Sequence, residues 1–175
     1  MFFKKDVNKN KGIRLAVNLA AHSTCGTVFE GHDLSFQDAL ALGLNLRPSV
    51  MVCGVDNAAT RVAVSKHCQV LEIPAVFIAV DFVAESGYVA VQKPGEACFG
   101  CLLPKSLGGQ KAPCFTPAVK DILKVVAGLA LYAIDSLLMD RKRDWNYRRI
   151  HLAGFMPDEM RMIGRNPNCP LCGHE

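Results

Sequence analysis

Long apolar runs free of charge are missing from this sequence, and no export leader is expected. Residues 1–12, MFFKKDVNKNKG, turn charged and polar after two aromatics, which is not the pattern of a secretory signal. The one membrane suspect, residues 122–139, carries Lys124 and Asp135. A lone span does not hold a charge near each end of its core without cost, so a helix packed among other elements is expected there. A large excess of one charge is missing too. The net charge is +4, with 50% of residues hydrophobic and 21% charged, the balance of a folded chain and not of a disordered one. Repeats and low-complexity segments are absent. Basic residues do gather in DRKRDWNYRR, residues 140–149. This run would either meet phosphate or acidic partners or serve as a solvated link between a helix and a strand. No RNA- or DNA-binding motif stands beside it. The 175 residues suffice for one domain with a sizeable core. A single cytoplasmic domain over 1–175 is therefore expected, with neither membrane nor nucleic acid as partner.

What the sequence does have is cysteine, eight in all. Without an export signal these read as reduced thiols, not as a disulfide framework. Two doublets stand out: CFGC at 98–101 and CPLC at 169–172. One such pair alone is half a zinc site, a redox dithiol or a coincidence. Two pairs supply four thiolates, Cys98, Cys101, Cys169 and Cys172, the number a tetrahedral zinc ion accepts. Gly100, Pro170 and Gly173 place each pair in a turn that aims two sulfurs at one point. Four thiolates leave no open position for water, so the expected zinc is structural. Cys25, Cys53 and Cys68 fall in or beside apolar segments and read as core.

The element order looks alternating. Residues 11–21 place Ile13, Ala16, Val17 and Ala20 at helical spacing. A strand is expected over 24–31, and a short helix from its cap Ser35. PSVMVCGV, 48–55, has the continuous apolar character of a strand buried on both faces. A helix over 57–70, strands at 75–80 and 87–92, a helix over 116–139 and a last strand over 148–154 follow. The expected fold class is α/β: an incomplete Rossmann-like, mostly parallel sheet with helices on both faces, antiparallel edge strands and a four-cysteine zinc site. Residues 94–117 form an irregular crossover that carries the first thiol pair.

At this point the residues resemble a family. CGVDNAATR (53–61), then CFGC, Cys114 and NPNCPLCG, resemble the ThiF/MoeB/HesA superfamily, the ubiquitin-activating-like adenylyltransferases. DVNKNKG (6–12) is similar to that family's D-[IV]-G-x-[PA]-K-A stretch, with Asn8 and Asn10 replacing Gly and Pro. The order of motifs covers essentially the whole chain. The resemblance implies ATP-dependent adenylation of the C-terminal carboxylate of a small β-grasp, ubiquitin-like or sulfur-carrier protein. It implies that Asp56 holds magnesium, Lys11 faces the ATP phosphates, Asn57 lies beside the nucleotide and Arg61 faces the same rim. Cys114 resembles the thiol that accepts or relays the acyl group.

The residues themselves are compatible with these roles and with plainer ones. Asp56 ends an apolar strand just before a helix, at the carboxyl edge where open α/β sheets bind ligands; it also suits a helix N-cap. Lys11 stands in a helical first turn, where free N–H groups favour phosphate, or is simply solvated. Arg61 equally suits a surface ion pair. Cys114 precedes a helix start at Thr116-Pro117, which lowers a thiol's pKa, but CFTPAVK lacks the small-residue stretch that follows this cysteine in the family. The family's opening strand and G-x-G-G-x-G phosphate loop have no counterpart, and the chain resembles the C-terminal portion only. The expectation is an enzyme that is incomplete or partner-dependent, served by a homodimer or a complementing N-terminal subunit. The alternative is a non-catalytic, zinc-stabilised scaffold.

Overall fold

The computed structural model describes residues 3–81, 83–107 and 120–173. Contacts divide the chain into two compact units, Met1–Asn45 and Leu46–Glu175.

The first unit holds α1 (Lys11–Ala20) and α2 (Phe36–Ala41). Asn10 caps α1 by accepting from the Ile13 N–H at 2.9 Å, and Ser35 caps α2 by accepting from the Asp38 N–H at 3.1 Å, each satisfying an amide that a helix start leaves orphaned. Asp6 is the unit's buried anchor. Its carboxylate accepts from the Phe3 backbone N–H at 2.9 Å, the Asn18 amide at 2.9 Å and Arg14 Nε at 2.7 Å. Those bonds, with the Phe3 amide foremost, hold the Asp6 carboxyl down to about 2. Gly31 approaches α1 so closely that a Cβ there would lie 2.3 Å from the Gly12 carbonyl oxygen. Residues 24–31 are irregular, not the expected strand. No described strand pairs with them, and Val28 is 81% exposed, so the segment has neither ladder nor core face. Cys25, expected in the core, is exposed there.

The second unit is built on a five-stranded sheet in the order β1-β2-β3-β4-β5, with β1 Met51–Cys53, β2 Ala75–Val80, β3 Ser86–Gln92, β4 Tyr147–His151 and β5 Glu159–Arg161. The expectation of a mostly parallel sheet is corrected: only β1 and β2 run parallel, and the other three pairings are antiparallel. The cause is connection length. Asp81 to Glu85 join β2 to β3, far short of the roughly dozen residues a parallel crossover needs, whereas α3 (Ala58–Val70) gives β1 and β2 that crossover. The strand β5 was not anticipated from the sequence. It is three residues long and half exposed, and it is defined by its bonds to β4 more than by its own pattern.

Helices cover both faces of the sheet. α5 (Lys120–Leu138) lays Ile122, Val126, Ala130 and Ala133 on Val76, Val89 and Val91. Gly87 is the close-approach point: a Cβ there would stand 2.5 Å from Val126 Cγ2 and 2.8 Å from the Ala79 oxygen. The outer side of α5 is different, with Leu131 60% and Leu138 59% exposed. The helix is therefore half-buried, not enclosed. Among the described residues no helix is long and apolar enough to cross a membrane. On the opposite face, α3 and the short α4 (Phe99–Leu102) pack against β2 and β3, with the Phe77 and Phe99 rings 4.7 Å apart.

Candidate metal centre and adjoining strand edge

The four doublet thiols converge. Cys98, Cys101, Cys169 and Cys172 are all buried, and their sulfurs lie within 4.8 Å of one another. The Sγ–Sγ separations are 3.8 Å for Cys98–Cys101, 3.6 Å for Cys98–Cys169 and 3.4 Å for Cys101–Cys172. A tetrahedral zinc–thiolate centre with bonds of about 2.3 Å sets its sulfurs about 3.8 Å apart. The donor set and spacing thus fit such an ion, and these four cysteines are the residues that could hold one.

Local structure explains the convergence. Cys98 is the N-cap residue of α4, and the Leu102 N–H donates to its carbonyl at 2.9 Å, so one helical turn brings Cys101 beside it. In the second knuckle, the Gly173 N–H donates to the Cys169 carbonyl at 2.7 Å. Gly173 admits no side chain, because a Cβ would meet the Pro167 oxygen at 2.3 Å and the Cys169 nitrogen at 2.6 Å. Gly100 is where the knuckles press together: a Cβ there would meet Cys169 Sγ at 2.9 Å and the Leu171 side chain at 3.0 Å. The Asn166 N–H points at Cys101 Sγ at 3.3 Å.

Titration follows from these surroundings. Burial pushes the Cys98 and Cys172 thiols up. Burial also acts upward on Cys101, but the Asn166 amide and the neighbouring thiols outweigh it, so this thiol sits below its ordinary range. The amide hydrogen bond from Asn166 favours the thiolate form of Cys101.

Two polar residues that sequence reasoning missed hold the knuckles in place. Gln92, 1% exposed, accepts from Ser65 Oγ at 2.6 Å and from the Phe99 N–H at 2.9 Å, and donates to the Ser65 carbonyl at 3.0 Å. It ties the end of β3 to α3 and to the first turn of α4. Asn146 grips the tail, donating to the Ile163 carbonyl at 2.7 Å and accepting from the Ile163 N–H at 2.8 Å. A buried amide pairs with both partners or destabilises the fold. A polar residue at the end of an apolar strand, as Gln92 is, was the available signal.

The other site candidates lie elsewhere. Asp56 and Asn57 form the turn between β1 and α3, at the carboxyl end of β1. Asn57, not Asp56, is the N-cap of α3, accepting from the Thr60 N–H at 2.7 Å. The Asp56 carboxylate is exposed and receives no bond from another described residue. Arg61 turns back into the protein: Nε and Nη2 donate to the Val55 carbonyl at 2.9 and 2.6 Å, and Nη1 donates to the Tyr88 hydroxyl at 3.0 Å. Lys11 opens α1 in the first unit and is exposed. Cys114 lies outside the described residues. Cys53 and Cys68 are buried as expected; burial raises the Cys53 thiol and, with Cys53 adding to it, raises Cys68 to about 11.

The chain shares its fold with E. coli MccB. Against E. coli MccB crystallised with AMPCPP and MccA, the TM-score is 0.76 at 21% identity, covering 98% of this chain and 53% of that one. Against the microcin C7 biosynthetic enzyme MccB in complex with N-formylated MccA it is 0.76 at 19% identity, covering 98% and 54%. PaaA matches less closely, with a TM-score of 0.61 at 13% identity over 91% of this chain and 57% of that chain. The chain spans about half the length of these proteins. At such identity the likeness is one of fold. No protein-family model matches the sequence, and no curated protein does.

Proposed function

We propose that this chain is an adenylyltransferase-type protein of the ThiF/MoeB kind, whose substrate is the C-terminal carboxylate of a small protein or peptide. The observation that carries the reading is the assembly of the four thiols within 4.8 Å on a fold shared with MccB, which has been crystallised with ATP and with AMPCPP and MccA. The resident ion in this reading is zinc, a closed and structural site. Asp56 is the proposed magnesium ligand, a reading supported by its exposed carboxylate at the carboxyl end of β1, which Asn57 leaves free of capping. Lys11 and Asn57 are proposed nucleotide neighbours, Cys114 the acyl-accepting thiol, and a ubiquitin-like or sulfur-carrier protein the partner in the cytoplasm.

The activity is proposed to depend on a partner, either a second copy or a complementing chain. Among the described residues β1 is an edge strand, with Val52 47% exposed, a ladder edge of the kind that another chain can extend. A second reading, a zinc-stabilised binding subunit without catalysis, is favoured by Arg61, whose guanidinium is committed to Val55 and Tyr88 and not to a ligand rim.

Pyrophosphate exchange with ATP, assayed with candidate small β-grasp partners and C-terminal peptides, tests the choice. Exchange that disappears in Asp56→Ala supports adenylation. Tight ATP binding by the chain alone would overturn partner dependence, and absence of exchange with every partner would favour the binding subunit.

A further inference from the structure

The basic run of residues 140–149 has no part in the metal centre or in the proposed nucleotide edge. Its first half lines a cavity of about 700 Å3. α5 ends there in a left-handed turn. Asp140 has φ 48°, and the Arg141 N–H donates to the Ser136 carbonyl at 2.9 Å, a helix closure that fixes where residues 141–144 leave the helix. The cavity lies at the far end of the sheet from Asp56. Asp56 follows the end of β1, which runs parallel with β2, whereas Gln92, next to the lining residue Lys93, pairs with Ala75 at the start of β2.

The wall carries five cations, Lys93, Arg141, Lys142, Arg143 and Arg165, against three carboxylates, Glu96, Asp140 and Asp144. The cations differ in what they already hold. Arg143 is fixed in place, with Nε donating to the Trp145 carbonyl at 2.6 Å and Nη1 to the Ser136 hydroxyl. Arg165 Nη2 donates to the Cys172 carbonyl at 2.6 Å. Lys93 stands 4.0 Å from Glu96 in an exposed pair. Arg141 and Lys142 are exposed, and among the described residues no carboxylate lies within ion-pair distance of either. Met162, 59% exposed, and the half-buried Ile163 add apolar surface to the same wall.

These features define the occupant. A lone small anion gains little from exposed cations, because water and salt screen each pair. A ligand with several charges meets Lys93, Arg141 and Lys142 together and adds apolar burial on Met162. A nucleic-acid strand would bring an unbroken line of phosphates against Glu96, Asp140 and Asp144, which repel it. A peptide can space its carboxylates to meet the cations and turn its N–H groups toward the wall's carboxylates. We infer that this cavity docks an acidic peptide segment of a partner protein, with carboxylates on both sides of one apolar side chain. The carboxylates pair with Arg141, Lys142 and Lys93, and the apolar side chain lies on Met162.

Fluorescence anisotropy of a labelled peptide, GEDLEDG, titrated with the full metal-loaded chain tests the inference. Binding is expected with Kd below about 500 μM at low salt, and at least fivefold weaker at about 500 mM salt. The neutral counterpart GQNLQNG should bind at least fivefold more weakly. Arg141→Glu with Lys142→Glu, both exposed changes, should weaken GEDLEDG at least fivefold. Lys4→Glu with Lys5→Glu, an equal change of net charge at exposed positions of the first unit, should leave it unchanged. The inference is overturned if GEDLEDG binds no better than GQNLQNG, if the two charge-reversed pairs behave alike, or if oligothymidylate binds more tightly than the peptide. Binding requires no nucleotide, so its failure leaves the adenylation reading untouched.

Discussion

At the scale of single residues, Gly173 and Asp6 carry sharp and testable constraints. Gly173 stands where a Cβ would overlap the Pro167 and Cys169 backbone, and backbone cannot swing aside as a flexible side chain can. Gly173→Ala is expected to splay Cys169 from Cys172 and to yield protein with less than half the zinc of wild type, measured by atomic emission on folded material. Asp6 is the second. Its carboxyl is held at about 2, below the ordinary value near 3.9. A depressed folded-state pKa stabilises above the unfolded value and is lost as pH falls through the folded one. The first unit should therefore lose stability between about pH 4 and pH 2. Asp6→Asn should lower its melting temperature at neutral pH and flatten that acid dependence, read by circular dichroism; an unchanged acid profile would show that other groups carry it.

At the scale of elements, the decisive contacts join pieces distant in sequence. Gln92 belongs to β3, Ser65 to α3 and Phe99 to α4, and one side chain serves all three. Gln92→Leu keeps the volume but strands the Ser65 hydroxyl and the Phe99 amide. A loss of about 1–3 kcal/mol is expected, read by urea denaturation, with faster release of metal to a chelator. Helices were legible from sequence: α1 by the spacing of Ile13, Ala16, Val17 and Ala20, α2 by its cap Ser35, and α3 as the run after β1, although its cap is Asn57 and not Asp56. The buried runs of β2 and β3 were legible as well. Strand direction was not, because AVFIAV reads the same in a parallel or an antiparallel ladder, and only the brevity of residues 81–85 decides it. The strand read at 24–31 failed because residue type cannot supply a partner. β5 went unseen for the converse reason: its partner, not its composition, makes it a strand.

At the scale of the whole molecule, the metal centre was the most legible feature, since doublet spacing and turn residues declare it without knowledge of the path between. Its support was not legible, as Gln92 and Asn146 act through backbone groups that only the folded chain brings near. Binding requires thiolates, so protons compete with the ion. The apparent zinc affinity should fall steadily as pH drops from about 8 to 5, measured by competition with a colorimetric chelator. Structural zinc in small peptides is worth on the order of 10 kcal/mol at neutral pH, comparable with a domain's entire stability. Chelation should therefore lower the melting temperature of the second unit by many degrees; a shift within error would reduce the cluster to reduced, metal-free thiols.

Cys98 and Cys169 sit 71 positions apart, so an ion between them makes the intervening polypeptide a closed ring. A single protease cut inside that ring opens a strand without releasing an end. Nicked protein should keep the mobility of the intact molecule on native gels, and should part into two fragments only when denaturant and chelator are applied together.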